Sequence, residues 1–269
     1  MKLTPQEMES KQLLPETRQS AVKQVETNGY VIFESVISRD KINELHKAFI
    51  PLFEKFRASH QLNRGPNRTS MVLPFVQPFI DPEILANPIV LSVAEALLGE
   101  DCACRVIASD TPMPGSEYQP IHSDGAYPFP DYPDSRIPVY SLLVNIPLVD
   151  FREDNGPMEI WPGGTHFLNV GNHLGSNPSD EMDRLKDTML SEKVLMPAGS
   201  LLIRDTRMWH RGTPNRSNEL RPMMAMIFNR HWYFSRSDIR IPNDEYERMP
   251  DRMKQLFRFE NIGADVLEY

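Results

Sequence analysis

The sequence predicts a mainly β fold with peripheral helices: a double-stranded β-helix (jelly roll, cupin-like) flanked by N-terminal helices. Short apolar runs from Cys102 onward are separated by Pro, Gly and Asp, as in antiparallel sandwiches and barrels. The 24 prolines favour short strands joined by stiff loops over a helical bundle. Helical periodicity is concentrated near the two ends of the chain, which places helices outside the β core.

Three helices are predicted before the strands begin. A helix over 15–29 opens at a proline and ends at a glycine. Apolar residues recur at helical spacing over 42–56, and Pro51 predicts a kink there. A third helix begins after Asn87, whose side chain can cap it, and ends at Gly99.

The strands are predicted from apolar runs, and one run suggests how they are covered. Strict alternation fails at Leu142-Leu143-Val144, which suits a strand buried on both faces. A polar helical stretch over 179–190 is expected on a surface loop. The predicted strands are Arg105 to Ala108, Val139 to Ile146, Met158 to Trp161, Lys193 to Met196, Ser200 to Ile203 and Met223 to Asn229.

Length and charge limit the function classes. We expect one domain over 1–269, with a helical part over about 1–100, a jelly-roll core over about 101–235 and a C-terminal extension over about 236–269. The formal charge of −8 disfavours nucleic acid and anionic membrane surfaces as partners. The sequence predicts no oligomeric state.

The N-terminal sequence and the cysteines predict a cytoplasmic protein. The first residues lack the apolar core of a signal peptide, and no stretch approaches the ~20 apolar residues that span a bilayer. Cys102 and Cys104 are too close in the chain to form a good disulfide, so we expect both to be reduced and buried.

A metal site is predicted from His122, Asp124 and His210. Two imidazoles and one carboxylate can occupy one face of iron(II) and leave three coordination positions open. In an extended strand His122 and Asp124 project from the same side, so one segment can supply two ligands. His210 follows a predicted strand and can supply the third ligand from a neighbouring strand.

Four separated motifs resemble the phytanoyl-CoA dioxygenase family of iron(II)- and 2-oxoglutarate-dependent oxygenases. The resemblance covers roughly residues 25 to 235 in motif order and spacing. It rests on the histidine–aspartate pair, on Asn155-Gly156-Pro157 through Pro162-Gly163-Gly164-Thr165-His166, on His210-Arg211-Gly212-Thr213-Pro214-Asn215, and on Arg221 eleven residues after His210.

The resemblance implies a dioxygenase that uses iron(II), 2-oxoglutarate and O2, supported by ascorbate, on a small-molecule substrate. Arg221 stands where the family places the arginine for the far carboxylate of 2-oxoglutarate, and a guanidinium matches a carboxylate in bidentate geometry. Gln119 stands where several members contact 2-oxoglutarate. Arg68, or less favourably Arg64, matches a basic co-substrate contact from the segment before the sheet. Met158 replaces a hydroxyl residue common in the family.

The reaction implied by the resemblance is hydroxylation, or another oxidation at an aliphatic C–H bond, with release of succinate and CO2. Related halogenases have alanine or glycine in place of Asp124, so its carboxylate favours hydroxylation over halogenation. The alternatives are a non-catalytic jelly-roll binding protein and a zinc or iron cupin that acts without 2-oxoglutarate. The second alternative would leave Arg221 without its partner.

Other residues carry weaker expectations. His166 is expected to support its loop by hydrogen bonding, and His231 to be a surface residue or to line the pocket. Trp209 is expected in the core. The loop over 125–138 carries Tyr127, Phe129 and Tyr132, which either form a wall or lid of the pocket or anchor the loop. A last set either recognises an anionic substrate or forms a solvated, salt-bridged rim: Arg204, Arg207, Arg211 and Arg216.

Overall fold

The fold is built on a six-stranded antiparallel sheet. The computed structural model describes residues 1–125, 127–129, 131–132, 136–168, 180–234 and 237–269. The strand order in the large sheet is β1-β7-β4-β9-β3-β2. Its strands are β1 (Tyr30–Phe33), β2 (Arg68–Val72), β3 (Ala103–Pro112), β4 (Ser141–Pro147), β7 (Leu201–Asp205) and β9 (Met223–Asn229).

A smaller antiparallel sheet faces the large one. It contains β5 (Met158–Ile160) between β6 (Glu192–Val194) and β8 (His210–Gly212). Met158 and Ile160 of the small sheet pack with Leu202 and Met223 of the large sheet in one buried cluster. Two antiparallel sheets with a shared interior confirm the predicted jelly-roll core.

Helices cover the outer face of the large sheet. The main helices are α2 (Pro15–Asn28), α3 (Arg39–Ser59) and α5 (Pro88–Leu98), which follow a short α1 (Pro5–Ser10) and, before α5, α4 (Pro82–Leu85). Their apolar faces share one core with the buried side of the sheet. Because this layer covers one sheet face, the other face is left to form the interior between the sheets.

The helix ends follow the predicted signals. Asn87 caps α5 through hydrogen bonds to its side-chain oxygen from Ile89 N (3.0 Å) and Val90 N (3.3 Å). Gly29 ends α2 with a φ of 89°, a left-handed conformation that glycine adopts without strain. The α3 helix continues through Pro51.

Several elements differ from the prediction. The expected strand over 105–108 is longer, because β3 begins at Ala103 and ends at Pro112. The sequence reasoning missed the edge strands β1 and β2. At the C-terminal end, where helical periodicity was expected, the structure has α7 (Asn243–Arg248) and α8 (Asp251–Leu256), but the short strands β10 (Arg240–Ile241) and β11 (Asn261–Ile262) were not predicted.

The polar helix expected over 179–190 is shorter and less peripheral than predicted. The helix α6 (Asp180–Lys186) carries Met182, which is buried in a cluster with Ile121, Trp161 and Trp209. Ser179 lies outside the described residues. Met182, together with the partly buried Leu185, therefore anchors this helix to the body of the protein.

Two further expectations concern cysteine and membranes. Cys102 and Cys104 are both buried and free, as expected. Within the described ranges, none of the helices combines the length and the apolar character needed to cross a bilayer.

Candidate metal centre

The backbone brings His122, Asp124 and His210 together. His122 and His210 form an isolated antiparallel bridge in which each N–H donates to the other carbonyl at 3.0 Å. Asp124 N–H donates to Thr206 O at 2.8 Å, so both ends of the short segment are held against the chain that carries His210. One potential ligand atom from each side chain lies within 4.8 Å of the others. One ion can therefore contact all three.

The local structure of the pair differs from a regular strand. His122 is extended but belongs only to the single bridge with His210, while Asp124 follows in a bend. The expected third ligand does come from a neighbouring strand, because His210 opens β8.

Hydrogen bonds fix the tautomers of both histidines. His122 Nδ1 lies 2.8 Å from Pro120 O, and His210 Nδ1 lies 3.0 Å from Met208 O. A carbonyl oxygen only accepts, so each Nδ1 carries the proton and each Nε2 carries the lone pair. Burial lowers the pKa of both imidazoles, most strongly that of His210. Both side chains are therefore neutral donors, as metal binding requires.

Asp124 is an ionised carboxylate in a buried position. Burial raises the pKa of Asp124, but the charge and the hydrogen bond of Arg204, together with the two neighbouring histidines, outweigh burial and hold the pKa well below its usual range. Arg204 Nη2 donates to Asp124 Oδ2, and that oxygen lies 3.4 Å from His210 Nε2. The donor set is thus two neutral imidazoles and one carboxylate, which fits iron(II) with open positions.

A cavity of about 270 Å³ lies between the sheets and contains the three predicted ligands in its wall. Most of the remaining exposed wall is apolar, with Leu143, Met158, Ala225 and Ile227 among its residues. Polar side chains are grouped within this apolar wall, which is the usual composition of a small-molecule site.

Arg221 lies in the wall of the same cavity and is 1% exposed. Its Nε donates to Gly156 O at 3.1 Å, and its guanidinium lies 4.3 Å from the centroid of the Phe151 ring. Its Nη1 is buried without a hydrogen-bond partner among the described residues. Burial lowers the pKa of Arg221, and the nearest carboxylate, that of Asp110, is 3.9 Å from Nη2. A bound carboxylate would satisfy this cation, so the residue fits 2-oxoglutarate.

Arg68 is packed beside Arg221 in the same wall. The prediction placed Arg68 in a segment before the sheet, but Arg68 is the first residue of β2 and so belongs to the sheet. Its Nη2 donates to Thr213 O at 2.8 Å and its Nη1 to Asp110 Oδ2 at 3.3 Å. A Cβ atom added at Gly212 would lie 2.3–2.6 Å from the guanidinium, so only glycine allows this approach. Arg64 also lines the cavity.

Gln119 lines the cavity and is held by its amide oxygen. Gly212 N–H donates to Gln119 Oε1 at 3.0 Å, and Gln119 N–H donates back to Gly212 O at the same distance. The oxygen is therefore committed to the backbone, and the amide nitrogen is the group that Gln119 can offer to a carboxylate.

His166, His231 and Trp209 are not among the described residues that line the cavity. His166 Nε2 bonds to Glu26 O at 3.0 Å, a loop contact of the expected kind. His231 pairs with Asp101 at the surface and is not among the described residues that line the cavity. Trp209 is buried with Trp161, as expected of a core residue.

The structure describes only part of the loop over 125–138. Positions 126, 130 and 133–135 of the expected lid lie outside the described residues, and its aromatic residues Tyr127, Phe129 and Tyr132 are absent from the described lining. All four arginines of the predicted set are salt-bridged: Arg204 to Asp124, Arg207 to Asp205, Arg211 to Glu159 and Arg216 to Glu117. Arg204 and Arg207 are not solvated rim residues, because both are buried, and Arg204 lies in the cavity wall.

Sequence reasoning also missed Asp110 and Asn145 of the cavity wall. Asn145 interrupts the apolar run of β4, whereas Asp110 lies between Ser109 and Thr111 in β3. A polar residue inside an apolar run was an available signal for Asn145, but it does not say which other residues Asn145 will meet.

Several solved structures have a fold similar to that of this chain. The epimerase SnoN in complex with Fe3+, alpha-ketoglutarate and nogalamycin RO is 18% identical, with a TM-score of 0.63 over 80% of this chain and 84% of SnoN. AviO1 from Streptomyces viridochromogenes Tue57 is also 18% identical, with a TM-score of 0.62 over 83% of this chain and 100% of AviO1. At these identities the likeness shows a shared fold.

Sequence comparison identifies the family. Dioxygenase af480 of Aspergillus fumigatus is 23% identical over 263 residues, which cover 92% of this chain and 79% of that protein. The family described as Phytanoyl-CoA dioxygenase (PhyH) matches residues 25–223, which is most of the chain. The chain therefore belongs to the phytanoyl-CoA dioxygenase family.

Proposed function

We propose that this chain hydroxylates a small organic molecule at an aliphatic C–H bond, with release of succinate and CO2. Family membership makes it a dioxygenase-type oxidoreductase that uses iron and 2-oxoglutarate. In our proposal His122, Asp124 and His210 hold the iron(II). Arg221 holds the far carboxylate of 2-oxoglutarate, with Gln119 and Arg68 beside it.

One observation carries the proposal: the donor set and the buried Arg221 lie in the wall of one cavity. A binding module has no use for three clustered donors that leave positions open, together with a buried cation. A cupin that works without 2-oxoglutarate would leave Arg221 Nη1 buried and unsatisfied, which costs free energy. A dicarboxylate that reaches from the metal to Arg221 uses both groups.

Iron and 2-oxoglutarate, when bound, supply the activation of dioxygen. The protein supplies placement. The two carbonyl-bound Nδ1 atoms keep the imidazoles turned with Nε2 toward the metal, and the ionised Asp124 provides the single negative charge. Arg221 orients the co-substrate by a charge-assisted pair. The apolar wall around Leu143 and Ile227 limits access of water to the reacting centre.

Hydroxylation is preferred because Asp124 provides a carboxylate where a halogenase would leave room for a halide. Desaturation and rearrangement are the competing outcomes. Similar folds do include proteins described by reactions other than hydroxylation, namely the epimerase SnoN and the carbocyclase SnoK. A cavity whose exposed wall is mostly apolar suits a small organic substrate.

Succinate formation tests the function. Purified protein with iron(II), ascorbate and 2-oxoglutarate under air is expected to release succinate slowly even without substrate. His210→Ala is expected to lose bound iron and this turnover, because the removed imidazole is one of three ligands. His231→Ala, a surface histidine, is the matched control and is expected to keep both. Retention of stoichiometric iron and turnover by His210→Ala would refute the ligand assignment. Bound metal without any succinate would support the cupin alternative.

A further inference from the structure

Arg204 stands at a position where the fold calls for an apolar side chain. In β7, Leu201 and Ile203 face the helix-covered core, while Leu202 packs between the two sheets. Side chains two apart in a strand share a face, so Arg204 also points into the interior between the sheets. A charged residue that breaks the local pattern at a buried position requires a specific reason.

Three of the four polar contacts described for Arg204 are with predicted metal ligands. Nη2 donates to Asp124 Oδ2 and lies 3.3 Å from His210 Nε2, while Nη1 lies 3.5 Å from His210 Nδ1. Nε donates to Asn145 Oδ1 at 3.4 Å, which holds the base of the guanidinium from β4. The guanidinium thus contacts two predicted ligands directly: Asp124 through Oδ2, and His210 through both ring nitrogens.

Arg204 differs in position from the basic residues at the other part of the cavity. Arg68 and Arg221 share Asp110 as their nearest carboxylate. Arg204 instead forms a salt bridge with Asp124, which is also a proposed metal ligand. The role of Arg204 must therefore be understood through Asp124.

We propose that Arg204 is a positioning residue that holds Asp124 by one carboxylate oxygen and restricts it to binding the metal through the other. This inference rests on the proposed function, because it assumes that the three donors hold a divalent ion. A carboxylate free of Arg204 can bind through both oxygens and occupy one of the positions that 2-oxoglutarate needs.

The positive charge of Arg204 predicts an effect on metal affinity that is opposite to that of an ordinary supporting residue. Removal of an ordinary supporting residue weakens metal binding, whereas Arg204 is a cation close to the metal position and repels a divalent ion. Its removal is therefore expected to tighten metal binding and, at the same time, to weaken 2-oxoglutarate binding. A merely structural residue would weaken both.

The experiment measures both affinities in variants of Arg204. Mn(II) binding is followed by electron paramagnetic resonance of the free ion, and 2-oxoglutarate binding by calorimetry on the Mn(II)-loaded protein. For Arg204→Met we expect Mn(II) to bind about tenfold more tightly and 2-oxoglutarate about tenfold more weakly, the scale of effects next to a metal. Arg204→Lys keeps the charge and is expected to stay near the wild type. Arg204→Gln keeps a donor without the charge and is expected to lie between.

Each other outcome overturns the proposal. Mn(II) binding that weakens in Arg204→Met, with a lower thermal midpoint, makes the residue structural. If the Met variant does not fold, Arg204→Gln decides by the same two measurements. Weaker 2-oxoglutarate binding with unchanged Mn(II) affinity makes Arg204 a direct co-substrate contact. Tighter Mn(II) binding with unchanged 2-oxoglutarate affinity refutes the restriction of Asp124. Failure of the wild type to bind Mn(II) refutes the metal site itself, which is a separate result.

Discussion

Arg221→Met is expected to weaken 2-oxoglutarate binding with little effect on metal affinity. Methionine keeps an unbranched apolar stem against Phe151 but removes the guanidinium. Truncating one partner of a buried, hydrogen-bonded charge pair costs about 2–5 kcal/mol. Arg68 shares Asp110 with Arg221 and keeps part of the positive charge in place, so the lower half of that range applies. About 3 kcal/mol corresponds to roughly a 150-fold loss of affinity.

Calorimetric titration of 2-oxoglutarate into Mn(II)-loaded protein measures this loss. Arg216→Met is the matched control, because Arg216 pairs with Glu117 at the surface and 57% of its side chain is exposed. The control is expected to bind 2-oxoglutarate as the wild type does. Parallel losses of Mn(II) and 2-oxoglutarate affinity in Arg221→Met would show that the residue only supports the fold. An unchanged 2-oxoglutarate affinity would remove Arg221 from the site.

Two further predictions concern Gly212 and Glu7. Gly212→Ala is expected to push the Arg68 guanidinium out of place, since the new Cβ would overlap it, and so to lower both the thermal midpoint and 2-oxoglutarate affinity. Wild-type values for both would show that the contact can relax. Burial raises the pKa of Glu7, but hydrogen bonds from the backbone of Thr4 and Leu14 outweigh burial and lower the pKa to about 2. The folded protein therefore gains stability from ionised Glu7 above the unfolded value of about 4.5 and loses it as pH falls toward 2. Glu7→Gln is expected to unfold about 1–2 kcal/mol more easily at pH 7, as for a lost helix cap, and to show a smaller loss at low pH in urea titrations. A variant with the same acid sensitivity as the wild type would contradict this role.

Much of the fold was predictable because its signals are local. Asn87 and Gly99 mark the ends of α5 through chemistry that operates within one turn of helix. The apolar run over 223–229 matches β9 at both ends. The two-residue spacing of His122 and Asp124 indicated that both side chains serve one site, although the pair lies in an isolated bridge and a bend rather than in the expected strand. The prediction that His210 approaches them needed only a neighbouring strand.

The rest depends on contacts between distant segments, which spacing does not encode. Edge strands such as β2 are short and half-polar, so their pairing is decided by the strand that receives them. Arg204 and Asp110 come from different strands and acquire their roles only when the sheet places each beside a particular carboxylate or guanidinium. The sequence reasoning grouped Arg204 with three neighbours that are paired elsewhere.

The glycine at the end of α2 links the helical layer to the chemistry between the sheets. A Cβ atom on Gly29 would lie 2.9 Å from Met208 Sδ, and Gly29 O accepts a hydrogen bond from Asp205 N at 2.8 Å. The same Met208 offers its carbonyl to His210 Nδ1. The first long helix therefore supports the turn that orients the imidazole of His210, a proposed metal ligand, although the helix contributes no side chain to the described wall of the cavity.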